Sequence, residues 1–235
     1  MKPHKHFLKV FTFVMIIANI WGMINYDDIF DRWIRFGTMG LYFLLFISPW
    51  FYNKKGLLIF VLFLISDGLL INYEDPVFNA FIFIIRGFSY LLLAGIVIKL
   101  LRDLKTNFFQ KIIFTIAFLL NIFLLYSLVE MIPSGEQYSS FDFLFYFYGI
   151  SIIACVTAAV SYSNRYANKP SLIFLGTILC LVFSDLSYFI GFYLNFSEFF
   201  IVDRIFNFLG IALLLHFMLI FGETEKIKTD DLLKN

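Results

Sequence analysis

Asp67 and Asp185 sit in two similar stretches, FLISDGLL at 63–70 and LVFSDLSY at 181–188, inside runs otherwise apolar enough for a bilayer. A carboxylate at the centre of a membrane helix costs about 2.5–3.5 kcal/mol even on a lenient insertion scale. Such a residue therefore faces the interior of a bundle or a cavity, and it marks function by default. Two carboxyls held close together in a low dielectric do not both ionise easily, so one keeps its proton near neutral pH while the other stays charged. That pair supplies a general acid together with a general base or a charge that stabilises a cation. A serine precedes each aspartate and an arginine follows 19 residues later: Ser66-Asp67 leads to Arg86, and Ser184-Asp185 to Arg204. The competing role is structural, with Asp67–Arg86 and Asp185–Arg204 as two buried pairs that fix helix register. Pairs of that kind stabilise weakly, because desolvation offsets attraction.

No other constellation competes. His4 and His6 lie in the basic N-terminal head and His216 stands alone near the end of the last apolar run. Neither metal-ligand spacing nor a nucleophile triad is available, glycine-rich phosphate loops are absent, and no cofactor or metal is expected. Cys155 and Cys180 both fall in apolar runs and read as small packing residues rather than a disulfide framework.

The elements that hold these residues follow from composition. Of 235 residues, 61% are hydrophobic and 15% charged, with mean hydropathy +0.85. Water-soluble domains carry about 25% charged residues, so the chain is expected to be one integral membrane domain over 1–235. The net charge of +1 is spread between apolar runs rather than gathered in a patch, which gives no footing for nucleic acid. A membrane helix needs about 20 apolar residues. Eight segments qualify, at 7–25, 33–52, 56–73, 77–101, 109–132, 141–162, 170–194 and 198–221, broken by turn and charge signals such as Glu74-Asp75-Pro76 and Asn168-Lys169-Pro170. They are apolar on every face, whereas the strands of a membrane barrel alternate. The expected fold is an all-α bundle of eight membrane helices. The basic start (MKPHKHFLK) resembles a signal peptide, but no small-residue cleavage site follows, so the first run is read as a retained span.

Basic residues orient the bundle. Fourteen of the 18 Lys and Arg fall at the N-terminus, the second, fourth and sixth connections and the C-terminal tail. Arg32, Arg35 and Arg204 fall on the opposite side, and Arg86 lies within the fourth span. This asymmetry predicts that both termini are cytoplasmic, with 224–235 as a short tail, in a cell (inner) membrane.

A weak duplication underlies the recurrence. At an offset of 118, Ser66, Asp67, Phe78, Phe81, Arg86, Phe88 and Leu91 fall on Ser184, Asp185, Phe196, Phe199, Arg204, Phe206 and Leu209. Lys9 and Asn19 are likewise echoed by Lys111 and Asn121. Parallel repeats over 1–105 and 106–223 would follow, related by an axis along the membrane normal. Helix depth at about 1.5 Å per residue then predicts Asp67, Asp185 and Arg86 in one layer of the outer half. The two carboxyls are expected to face one another across a cavity.

At these residues the sequence resembles the YhhN family of eight-span membrane proteins, which includes lysoplasmalogenases. The likeness lies in FLISDGLL and in GTILCLVFSDLSYFIGFY at 176–193, matching the family's two Ser/Gly-Asp elements. The chain departs from the family at RFGTMGLYF in the second span, at RGFSY in the fourth and at FNFLGIALL near the end. The resemblance implies a hydrolase of the vinyl ether bond of a lysolipid, with Asp67 and Asp185 as the active carboxylates. Arg86, Arg204, Ser66, Ser184, Tyr90 and Tyr188 are the candidate substrate-binding residues beside them, and a membrane lipid is the expected partner. A transporter or sensor that uses the two aspartates as a proton relay stands as the alternative.

Overall fold

The computed structural model describes residues 2–50, 54–101, 108–133 and 140–232. Among them are eight α-helices, in the order α1 (Lys2–Asn25), α2 (Asp28–Trp50), α3 (Lys54–Leu69), α4 (Pro76–Ile98), α5 (Phe108–Glu130), α6 (Phe141–Tyr166), α7 (Lys169–Tyr193) and α8 (Phe199–Leu232), and no strand. Short 3₁₀ turns extend α3 through Asn72 and α4 through Leu101. Among the described residues, six helices are long and apolar enough to cross a membrane: α1, α3 with its turn, α4 with its turn, α6, α7 and α8. This is the length and composition that an integral membrane protein requires. The basic residues of the fourth connection, Arg102 and Lys105, and residue 234 of the tail lie outside the described residues. The backbone of α8 continues as helix past 223, where a tail was expected.

Local sequence explains where the helices begin. Asp75 caps α4 by accepting from the Val77 amide at 2.8 Å, with Pro76 at the first helical position. Asn168 and Ser171 form a reciprocal capping box at the start of α7. The second helix starts at Asp28, five residues before the expected 33, because Asp28 and Asp31 in its first turn favour the positive end of the helix dipole. That shift carries Asp31 and Arg32 out of the connection and into the helix.

Six helices make the centre, with α7 against α8, α4 against α6, α3 against α4, and α2 against α3 and α8. On the periphery, α1 packs on α2 and α8, whereas α5 packs chiefly on α6. The buried apolar residues form two clusters. One gathers Met39, Phe60, Phe63, Tyr90, Ile178 and Phe208; the other gathers Leu70, Phe83, Phe141, Phe145, Tyr188 and Phe189. Asp67, Arg86 and Asp185 each lie along their helix between members of the first cluster and members of the second.

Candidate functional site

Seven charged side chains from five helices form one ladder in the layer between the two apolar clusters. At one end Asp31 of α2 binds Arg204 of α8. Arg204 also donates to Asp203 Oδ2 at 2.7 Å, and Arg35 of α2 donates to the same oxygen at 2.6 Å. Arg35 reaches on to Asp67 Oδ1 of α3 at 3.2 Å. Arg86 of α4 donates to that oxygen at 2.8 Å and to Ser66 Oγ at 2.7 Å, while its remaining terminal nitrogen binds Asp185 of α7. Tyr90, one turn along α4 from Arg86, closes the ladder with a 2.5 Å hydrogen bond to Asp185 Oδ2. Ser184 leans the other way and donates to Asp203 Oδ1 at 2.6 Å.

The layer is shared, as depth predicts, but Asp67 and Asp185 do not face one another across open space. Arg86 stands between them and binds both. Nor does Asp185 pair with Arg204, whose guanidinium is taken by Asp203 and Asp31. The offset of 118 residues therefore matches positions without matching partners. Arg35, Asp31 and Asp203 complete the ladder, and the sequence reading passed over them as site residues. The signals were present: Asp31 and Arg35 share one helix face at i and i+4, and Asp203 adjoins Arg204 within an apolar run.

Charge counting constrains the chemistry. Asp31, Asp67, Asp185 and Asp203 face Arg35, Arg86 and Arg204, so carboxylates outnumber guanidiniums by one. An uncompensated buried charge is costly, and one proton held by the ladder removes it. Asp67 uses Oδ1 for both arginines, and its Oδ2 is buried without a hydrogen-bond partner.

Accessibility separates the two end carboxyls from the two inner ones. The Asp67 side chain is 2% exposed and Asp203 0%, against 8% for Asp185 and 9% for Asp31, and of the two end carboxyls only Asp185 lies on a cavity. Asp185 and Arg86 line an apolar cavity of about 160 Å³ enclosed by α4, α5, α6 and α7. Tyr148 and Tyr188 also line it, with Phe83, Leu125 and Phe145 on the apolar walls. Among the other residues singled out from sequence, Asp67, Ser66, Tyr90, Ser184 and Arg204 do not line the cavity; Tyr90 reaches it only through Asp185. Among the described residues, no group of three or more His, Cys, Asp or Glu could hold a metal ion.

Comparison of the chain with family models, with curated proteins and with solved structures finds no match.

Proposed function

We propose that the protein is a membrane-embedded hydrolase that cleaves the vinyl ether bond of a single-chain lipid by carboxyl acid–base chemistry, in the manner of a lysoplasmalogenase. The observation that carries this reading is the placement of Asp185, alone among the ladder's four carboxyls, on an apolar cavity, held by Arg86 and Tyr90. In its protonated form Asp185 delivers a proton to the β-carbon of the vinyl ether, giving an oxocarbenium ion. The resulting carboxylate stabilises that cation and then takes a proton from the water that adds to it. The hemiacetal so formed collapses to an alcohol and an aldehyde, and Asp185 is protonated again. Asp67 keeps Arg86 in place and neutralised whichever state Asp185 occupies. It is a positioning residue, one step away from the substrate.

All eight helices cross the membrane in this reading, both termini face the cytoplasm, and the two halves are parallel repeats. The burial of Arg35 and Arg204 in the ladder supports that orientation, because it leaves Arg32 as the basic residue nearest the opposite surface. The continuity of the ladder from Asp31 to Asp185 favours a second reading, a proton relay without hydrolysis.

The experiment assays the purified protein in detergent for aldehyde release from alkenyl lysolipid. A hydrolase turns over in detergent, whereas a relay needs a sealed vesicle and a gradient. Asp185→Asn should lose about 10²–10⁴ in rate, the usual contribution of a general acid–base group. A loss below tenfold for a folded Asp185→Asn protein would remove Asp185 from catalysis.

A further inference from the structure

We infer that the substrate's head is uncharged: the cavity takes one aliphatic chain with a small neutral oxygen function, admitted sideways from the bilayer between α5 and α7. The inference rests on the hydrolase reading for what happens at Asp185, and its own test separates the two.

The first observation concerns charge. The guanidinium that lines the cavity has no side left for a phosphate, and the nitrogens without hydrogen-bond partners on Arg35 and Arg204 are sealed away from the cavity. Arg86 spends its three nitrogens on Ser66, Asp185 and Asp67; Arg35 spans Asp203 and Asp67, and Arg204 spans Asp203 and Asp31. With one proton held, the four carboxyls and three guanidiniums balance, so an anionic head beside Asp185 would itself be the uncompensated negative charge in a low dielectric. A neutral ether or hydroxyl oxygen meets no such barrier. Tyr188 lines the same cavity, and its hydroxyl is buried without a hydrogen-bond partner. It is the donor that a neutral oxygen would use.

The second observation concerns access. Toward the helix ends near Glu74, the cavity is stoppered by aromatic residues. Tyr73 lines it and its hydroxyl meets that of Tyr193 at 3.2 Å; Asn79 donates to Tyr193 at 3.3 Å. Tyr193 in turn lines a separate polar pocket that contains Arg32 and Glu74. The lateral wall is different. Leu124 of α5 is 57% exposed and Leu186 of α7 36% exposed, although both line the cavity. Helix α5 rests chiefly on α6, where Gly149 leaves the notch that Leu125 occupies; a Cβ there would fall 2.3 Å from Leu125 Cδ1. An apolar space of about 150 Å³ holds one benzene-sized group. The cavity therefore holds the first several carbons of a single chain, and the remainder must pass the α5–α7 slot into lipid.

The test uses the full-length protein in detergent with three substrates of one chain length: 1-O-alkenylglycerol, its phosphate monoester, and alkenyl-glycerophosphoethanolamine. The expected result is a kcat/KM at least tenfold higher for alkenylglycerol than for either phosphate-bearing lipid. Equal or faster turnover of a phosphate-bearing lipid overturns the inference and leaves the hydrolase reading intact. For occupancy, the probe is hexadecylglycerol carrying a diazirine at the fourth chain carbon, with the protein in phosphatidylcholine nanodiscs. Adducts should form on Leu125, Val182 or Leu186, and folded Val182→Trp should lose them together with turnover. Gly149→Leu, which drives Leu125 inward, should do the same. Adducts confined to lipid-facing Phe118 and Phe123 would overturn the site. Wall adducts without turnover of any of the three lipids would retain the neutral-chain site and end the hydrolase reading.

Discussion

Helices α1 and α5 both lie on the periphery of the bundle, yet one closes its side and the other leaves its side open. On the first side, Asn19 donates to Thr38 at 2.8 Å and Tyr42 donates to Thr12 at 2.9 Å, locking α1 onto α2. The charges behind it are sealed, with Arg35 and Arg204 each 1% exposed and Asp203 0%. On the second side α5 rests chiefly on α6, and Asn121, the position that echoes Asn19, is exposed on the rim of the cavity. Arg86 and Asp185 behind it are 7% and 8% exposed. One ladder of like groups thus has a sealed portion whose work is to hold helices, and an open end that can meet a ligand. Contact with the cavity, rather than residue type, separates the two roles, since Asp31 at the far end is 9% exposed and does not line it.

The largest effect is expected where the ladder is sealed. Asp203→Ala would leave Arg35 and Arg204 sharing a site without the carboxylate between them. Removing one partner of a buried pair costs about 3–5 kcal/mol, so the purified protein should melt well below wild type or fail to accumulate. Asp185→Asn at the open end should keep near-wild-type thermal stability while losing activity. If both variants melt alike, the division into sealed and open portions is wrong. A finer version replaces Arg35 by Met and Asp203 by Leu together. Well-packed apolar replacements of buried ion pairs are often near neutral, so the double variant should be more stable than the sum of the two singles implies.

The sequence made the open end legible and hid the sealed part, for physical reasons. Asp67, Asp185 and Arg86 stand alone in long apolar runs, and their depth follows from counting residues along a helix. Asp203 sits beside Arg204, where adjacent opposite charges read as a flank rather than as a site. Arg35 is near the start of its segment and passes for an interfacial charge, and Asp31 joins it only because α2 begins at Asp28. The 19-residue spacing predicted the Asp67–Arg86 contact, which forms, and the Asp185–Arg204 contact, which does not. Which arginine reaches which carboxylate depends on how α2 and α8 cross, and periodicity does not encode that. A cavity between Asp67 and Asp185 was expected, but its actual place was not legible: it lies on Asp185 and not Asp67, where α5 stands away from the centre. The apolar runs themselves placed most helix ends to within about five residues, whereas α8 continues to Leu232, well past the apolar run that ends at 221.

A smaller effect is expected at Tyr90. Its hydroxyl donates to Asp185 Oδ2 at 2.5 Å without lining the cavity. Hydrogen bonds to charged groups contribute about 1.5–3 kcal/mol, so Tyr90→Phe should lower kcat by roughly tenfold or more while leaving the chain site occupied. A variant that weakens binding of the diazirine probe but spares kcat would place Tyr90 among the chain contacts instead. The open end would then extend deeper than Asp185.

The smallest effect lies outside both portions, at the helix ends. Glu74 follows the turn after α3 and accepts from both terminal nitrogens of Arg32, at 2.6 and 2.8 Å. The Arg32 hydrogen bonds hold its carboxyl below the usual glutamate range, against a smaller opposing push from burial. A carboxyl with a depressed folded value stabilises the protein above its unfolded value, about 4.3, and that contribution is lost as pH falls through the folded value. Glu74 is 61% exposed, so water and salt screen the pair, and exposed pairs typically contribute about 0.2–1 kcal/mol. Glu74→Gln should therefore lower the melting temperature slightly at pH 7 in low salt. The gap to wild type should shrink at 1 M salt, where the screening length is about 3 Å, and shrink again below pH 4. A gap that persists unchanged at pH 3 would mean that Glu74 acts through shape rather than charge. Because Arg32 also donates to the Ile71 carbonyl at 3.3 Å, it keeps one tie to the α3 turn in the variant, and the ladder should not respond. Wild-type turnover by Glu74→Gln is the matching expectation.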